Sequence, residues 1–120
     1  MQATLWPRGV RGVLSHETAL SLFELSDVAP DKVHITVPTS LRVQRAVPTY
    51  MVVHRADVPP TDIQQFERMP ITTPARAIQD CLYAHAGPAI VYQAIRDGRR
   101  AGLINEKVAA AMEYLADREP

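Results

Sequence analysis

Thr73-Pro74 is the tightest local constraint in the chain. Ile71 and Thr72 before it favour extended backbone, Thr73 is a good helix N-cap, and Pro74 falls at the first helical position, where its missing N–H costs nothing. After Pro74 the apolar residues Ala77, Ile78, Cys81 and Leu82 recur at helical spacing. A short strand over Met69–Thr72 must therefore run straight into a helix, predicted from Pro74 to about Ala86. The segment thus anchors the coarse layout of the chain as a strand-to-helix switch.

The flanking segments extend that pattern. Gly9 to Gly12 reads as a turn, and Ser15 then opens a helix as its N-cap, with Glu17 in the first turn and Leu14 placed to staple onto Ala19. Ala19, Leu22, Phe23 and Leu25 form its apolar stripe, which predicts an end near Ser26-Asp27. Lys32 to Val37 alternates, with Val33, Ile35 and Val37 on one face and Lys32, His34 and Thr36 on the other, until Pro38 stops the strand. A polar stretch over Thr39–Ala46 carries Arg42 and Arg45, and Tyr50–His54 reads as a second strand buried on both faces. Strand, basic loop and strand predict a hairpin with an extended tip. Val58–Asp62 is a break followed by a short turn holding Ile63 and Phe66. A helix over roughly Pro88–Arg100 follows Gly87 and ends at Gly102; Asn105 caps the last helix, with Val108, Ala111, Met112 and Leu115 as its stripe. The expectation is an α+β fold, one domain over residues 1–120. A small, mostly antiparallel sheet of about three strands packs with about four helices, and the C-terminal half is helical.

Charge narrows the function classes. Thirteen Lys and Arg balance thirteen Asp and Glu, so the chain lacks the electrostatic footprint of a protein that coats nucleic acid. The single cysteine, Cys81, has no internal disulfide partner, the N-terminus has no export pattern, and no run approaches a membrane span. These features point to the cytoplasm, with no membrane partner.

Four histidines, His16, His34, His54 and His85, are the natural candidates for chemistry. None stands at a metal-ligand spacing, and each reads most simply as a surface or structural histidine. His34-Ile35-Thr36-Val37 is sharper. It looks like the His-apolar-Thr-apolar motif of two-histidine phosphoesterases, which need a second such motif because one histidine is base and the other acid. Neither His54-Arg55-Ala56-Asp57 nor His16-Glu17-Thr18-Ala19 supplies it. Cys81 lies on an apolar stripe and reads as a small buried hydrophobe, and Ser15 is accounted for by capping. No carboxylate dyad and no glycine-rich phosphate loop is present, so no catalytic residue, cofactor site or metal site is assigned. Arginine suits bidentate contact with phosphate or a partner, which singles out Arg8, Arg11, Arg42, Arg45 and Arg55 at loops and strand ends. Arg76, read as the one exposed charge near its helix start, joins them because a cation there opposes the helix dipole.

Four segments in order resemble the C-terminal, antitoxin domain of the AbiEi family: Val13-Leu14-Ser15-His16-Glu17-Thr18-Ala19-Leu20, Val33-His34-Ile35-Thr36-Val37-Pro38, Val52-Val53-His54-Arg55-Ala56, and Pro70-Ile71-Thr72-Thr73-Pro74-Ala75-Arg76 through Asp80. That family comprises antitoxins of abortive-infection, type IV toxin–antitoxin systems and related transcriptional regulators. The resemblance implies a non-enzymatic domain whose functional partner is a nucleotidyltransferase-like toxin, with DNA as a further contact. The family's N-terminal winged helix, which binds the operator, has no counterpart here, since the first helix begins only at Ser15; the abrupt apolar start of the chain fits a missing preceding domain. A monomer or weak dimer is expected. The alternative from another class is a nucleic-acid-processing enzyme, phosphoesterase or nuclease-like, built on His34. It requires a second histidine or a carboxylate within hydrogen-bonding reach of His34.

Overall fold

The computed structural model describes residues 12–27, 30–41 and 47–118. In chain order these form β1 (Val13–Leu14), α1 (His16–Leu22), β2 (Val33–Val37), β3 (Met51–Arg55), a 3-10 turn (Pro60–Asp62), β4 (Ile63–Phe66), β5 (Met69–Thr72), α2 (Pro74–Tyr83), α3 (Pro88–Arg100) and α4 (Glu106–Arg118). The fold is α+β with a helical C-terminal half, as the sequence predicts.

The sheet differs from expectation in size and sense. It has five strands in the order β3-β2-β1-β5-β4, and it is mixed. β1 pairs antiparallel with β2 and β4 antiparallel with β5, while β1 runs parallel to β5 and β2 parallel to β3. The expected β2–β3 hairpin is thus a crossover. The chain leaves the end of β2 at Val37 and returns to the start of β3 at Met51, because parallel strands cannot be joined by a tight turn. Beyond the strand ends Asp57 holds the crossover in place, its carboxylate accepting from the Thr39 amide at 3.0 Å and the Thr39 hydroxyl at 2.8 Å. β3 is an edge strand, with Met51 buried, Val52 to His54 half-buried and Arg55 exposed, and so is not buried on both faces.

Registers show where the core lies. Leu14 stands opposite Ile35 on one side and Ile71 on the other, so three fully buried aliphatics from adjacent strands form a row on one face. By alternation the opposite face carries Ser15, His34, Thr36, His54 and Thr72. Helical residues complete the core, among them Ala19, Leu20, Ala77, Ile78, Cys81, Val91, Ala94 and Ile95.

The residues expected in a turn, Ile63–Phe66, are instead strand β4. Its hairpin with β5 closes through Glu67 and Arg68, both at positive φ (48° and 70°), the signature of a type I′ turn. α1 is shorter than its apolar stripe suggests. It stops at Leu22, and Glu24 takes a left-handed conformation while the Leu25 amide donates back to the Leu20 carbonyl at 2.8 Å. This Schellman closure folds Leu25 under the helix end, where it is buried. α2 ends the same way, at Tyr83 and not near Ala86, with His85 at φ 56° and the Ala86 amide donating to the Cys81 carbonyl. α3 uses Gly102 for the equivalent position.

Candidate functional site: an inward-facing histidine–hydroxyl cluster

His16, His34 and His54 meet on the polar face of the sheet, although up to twenty residues separate neighbouring members in sequence. The parallel register of β2 with β3 sets His54 beside Thr36, with His34 two residues before Thr36 on the same face. β1 then delivers Ser15 and His16 to that face at the start of α1. Ser15 donates its amide to the His34 carbonyl at 3.1 Å, and Thr18 Oγ1 accepts from the His34 amide at 2.8 Å, so α1 is stitched to β2 through backbone as well as side chains.

The Thr36 hydroxyl donates to Ser15 Oγ at 2.8 Å, and Ser15 Oγ shares a second hydrogen bond with His16 Nδ1, also at 2.8 Å, whose donor is set by the His16 tautomer. Ser15 occupies the N-cap position of α1, yet its side chain makes no capping bond. Capping does not account for Ser15; the cluster does. His16 itself stands at φ 54°, a conformation that costs a non-glycine residue about 1 kcal/mol or more.

The rings lie nearly parallel. His16 stacks on His54 with centroids 3.6 Å apart and planes 11° apart. His34 and His54 meet edge to edge, Nδ1 to Nε2 at 3.0 Å, so one of these two nitrogens carries the shared proton. Burial, then the neighbouring imidazoles His54 and His34 and finally Arg76, lower the His16 pKa to about 3. Burial and His34 lower His54 to about 4. Burial lowers His34 too, with Glu17 opposing and Lys32 reinforcing the shift. All three are therefore neutral at pH 7.

Neutral imidazoles are potential metal ligands, but this arrangement does not suit one. Two rings stacked face to face direct their in-plane lone pairs side by side rather than toward a common centre. Among the described residues no group of three or more His, Cys, Asp or Glu side chains is placed to hold a metal ion.

Of the arginines singled out from the sequence, Arg55 and Arg76 fall among the described residues, and they engage different partners. Arg8, Arg11, Arg42 and Arg45 lie outside the described residues. Arg55 is exposed on the edge strand, and its guanidinium donates to the Leu41 carbonyl. Arg76, expected to present an exposed charge, is half-buried and paired. Its side chain is 14% exposed and is held by Asp80 at 2.8 Å and Asp62 at 3.0 Å. The Asp80 pair has the favourable i,i+4 spacing within α2, while Asp62 reaches in from the 3-10 turn. Burial disfavours the Arg76 charge, but the two carboxylates outweigh it and leave its pKa raised. Arg99 is similarly engaged across the α3–α4 seam, with Glu106 at 2.9 Å and Glu113 at 2.7 Å. Cys81 is buried, and its thiol is pushed up to about 12 by burial and then by Glu17 and Asp80, as befits a packing residue.

A cleft of about 480 Å³ lies elsewhere, lined by Leu82, His85, Pro88, Val91, Tyr92 and Asp117 among others, with the Tyr92 hydroxyl donating to Asp117 at its margin. It contains none of the three clustered histidines. Among the described residues no helix is long and apolar enough to cross a membrane.

Neither a comparison with protein-family models nor one with curated proteins returns a match. Fold and site together define an α+β fold whose polar sheet face gathers Ser15, His16, His34, Thr36 and His54 against one another.

Proposed function

We propose that this chain is a non-enzymatic, antitoxin- or regulator-type domain of the AbiEi kind, acting in the cytoplasm against a nucleotidyltransferase-like toxin. One observation carries the reading most directly: the four segments of the resemblance are neighbours in the fold. They supply β1 with α1, then β2, β3, and β5 with α2, which are the four adjacent strands β3-β2-β1-β5 and the helices that follow two of them. A set of motifs scattered over a chain by chance has no reason to tile one contiguous block. The polar residues within those motifs (Ser15, His16, His34, Thr36, His54, Arg76) are engaged with each other or with Asp62 and Asp80, so they hold the block together. Action would then reside in the outer surface, through protein contact and, with Arg55 among the contributors, DNA contact.

The test is co-expression with a nucleotidyltransferase-like toxin sought in the neighbouring gene. Growth restored by this chain supports the reading; undiminished toxicity at excess antitoxin overturns it. For DNA, retardation of the chain's own promoter with a salt slope of several phosphates supports contact, and salt-insensitive or undetectable binding rejects it.

A second reading has a specific observation behind it. His54 lies within hydrogen-bonding reach of His34, which supplies the second histidine that a phosphoesterase or nuclease needs. Acting as acid and base would require the two nitrogens to leave each other and turn to a phosphodiester. Hydrolysis of an activated phosphodiester or of RNA, abolished in both His34→Ala and His54→Ala, would establish the enzyme; a rate equal to that of both variants would end it.

A further inference from the structure

We infer that the three-imidazole cluster is an acid-operated latch on the start of α1. This inference stands independently of the antitoxin reading.

What the cluster fastens is well defined. The first turn of α1 is held to β2 and β3 by the His16–His54 stack, the Thr36–Ser15–His16 hydroxyl chain, the Ser15 amide on the His34 carbonyl and the His34 amide on Thr18. Each link between rings tolerates only a limited number of protons. The His34–His54 contact needs one nitrogen bare to accept, so it survives a single added charge and not two. The His16–His54 stack at 3.6 Å would bring two cations face to face. In doubly protonated His16, Nδ1 is a donor to Ser15, whose oxygen then accepts from both His16 and Thr36 and whose O–H must turn to another acceptor.

The surrounding charges decide the order. Glu17 on α1 favours a charge on His34, while Lys32 before β2 opposes it. Arg76 on α2 opposes a charge on His16. β1 and β5 contribute no titratable side chain, and Arg55 on β3 alternates to the opposite face from His54. His34, the one member of the cluster whose charge a carboxylate favours among the described residues, takes the first proton and leaves the latch closed. The next proton falls on His54 or His16 and breaks a ring contact.

The direction with pH follows from linkage. Above its closed-state pKa, a strongly shifted histidine such as His16 or His54 takes its proton mainly on opening. The closed state is thus fully favoured above the ordinary histidine value near 6.5, and loses ground as pH falls below it. For two such histidines, His16 and His54, the opening constant should rise about sixty-fold between pH 6 and pH 5, and for one about eight-fold. The rise should flatten toward the closed-state values of about 4 and about 3.

Residue-resolved amide hydrogen exchange, corrected for the intrinsic pH dependence, tests this on the intact chain. Expected is a roughly sixty-fold loss of protection at the Ser15 and His34 amides from pH 6 to pH 5. These amides should also open at least about ten-fold more readily than those of Ala94 and Ala109 in the helical half at each pH. In His16→Phe, which keeps a ring for the stack, the loss should shrink to about eight-fold. Direct titration of the ring protons by NMR covers the case in which that variant does not fold, with His16 and His54 in the native chain staying neutral to below pH 5. An unchanged slope in His16→Phe, latch and core amides that exchange together, or ordinary titration of His16 and His54 near pH 6.5 would each overturn the latch.

Discussion

Removing the guanidinium of Arg76 should cost far more than removing an ordinary helix-surface arginine. Arg76 and Asp80 are 14% and 11% exposed, and their bond is 2.8 Å long, so truncation strands a buried carboxylate. Asp80 is already short of partners, since its Oδ2 is buried without a hydrogen bond among the described residues. Breaking a buried ion pair from one side costs about 3–5 kcal/mol. Asp62 is 36% exposed, so its share is screened and adds little beyond the low end of that range. Arg76→Met, which keeps the stem, should therefore lose about 3 kcal/mol in urea unfolding at pH 7, or roughly 10 °C in Tm. Adding Asp80→Asn removes the stranded charge and should restore about half of that loss. Burial already holds the Asp80 pKa above its usual value, with Arg76 as the main opposing influence. Without Arg76 the pKa climbs further, so the folded variant takes up a proton that the unfolded chain does not. The deficit relative to the native chain should then shrink as pH falls through that raised value. A loss under about 1 kcal/mol, a double variant no more stable than the single, or a deficit that ignores pH would refute the reasoning.

Three other perturbations follow from local geometry. Glu67 and Arg68 hold positive φ in a type I′ turn, so Glu67→Asn with Arg68→Gly should raise stability by about 1–2 kcal/mol in the same unfolding assay; a loss would mean that side-chain contacts, not backbone preference, hold the turn. Asn105 Oδ1 accepts from the Val108 amide at 2.7 Å, whereas Thr73 Oγ1 accepts from the Arg76 amide at 3.4 Å. Asn105→Ala should accordingly cost about 1 kcal/mol and Thr73→Ala about half as much, and equal losses by thermal melting would contradict that ranking. With its thiol buried and pushed up to about 12, Cys81 should resist alkylation at pH 8 until denaturant is added; labelling at the rate of a free thiol would show that the core is open there.

The site was legible only in fragments. The alternation of Lys32–Val37 placed His34 and Thr36 together, and both do share the polar face. His54 joins them through a parallel register, and a parallel pair carries no turn signal from which register can be read. Ser15 has the local pattern of a cap, and local pattern is blind to the competing bond from Thr36 across the sheet. Likewise the Glu67-Arg68 turn carries neither Asn nor Gly, the usual mark of type I′, so Ile63–Phe66 did not read as a strand. Arg76 appeared exposed because a helix start offers it nothing favourable. Its partner Asp62 lies fourteen residues away and arrives through the 3-10 turn.

By itself the sequence determined the four helices and the strands β2, β3 and β5, but not β1 or β4. Thr73-Pro74 switches a strand into a helix as expected, Thr73 caps α2 through the Arg76 amide, and Asn105 caps α4. These outcomes depend on φ preferences and hydrogen bonds that span only a few residues, so they are written locally. Tertiary structure alone decided that the sheet is mixed, that β2 and β3 run parallel, and that three distant histidines share protons and a stack. Strand pairing is a contest among non-local alternatives, settled by which arrangement buries Leu14, Ile35 and Ile71 in one row. Once that row is buried, alternation leaves the opposite face to Ser15, His34, Thr36 and His54, and the histidine cluster follows from the core.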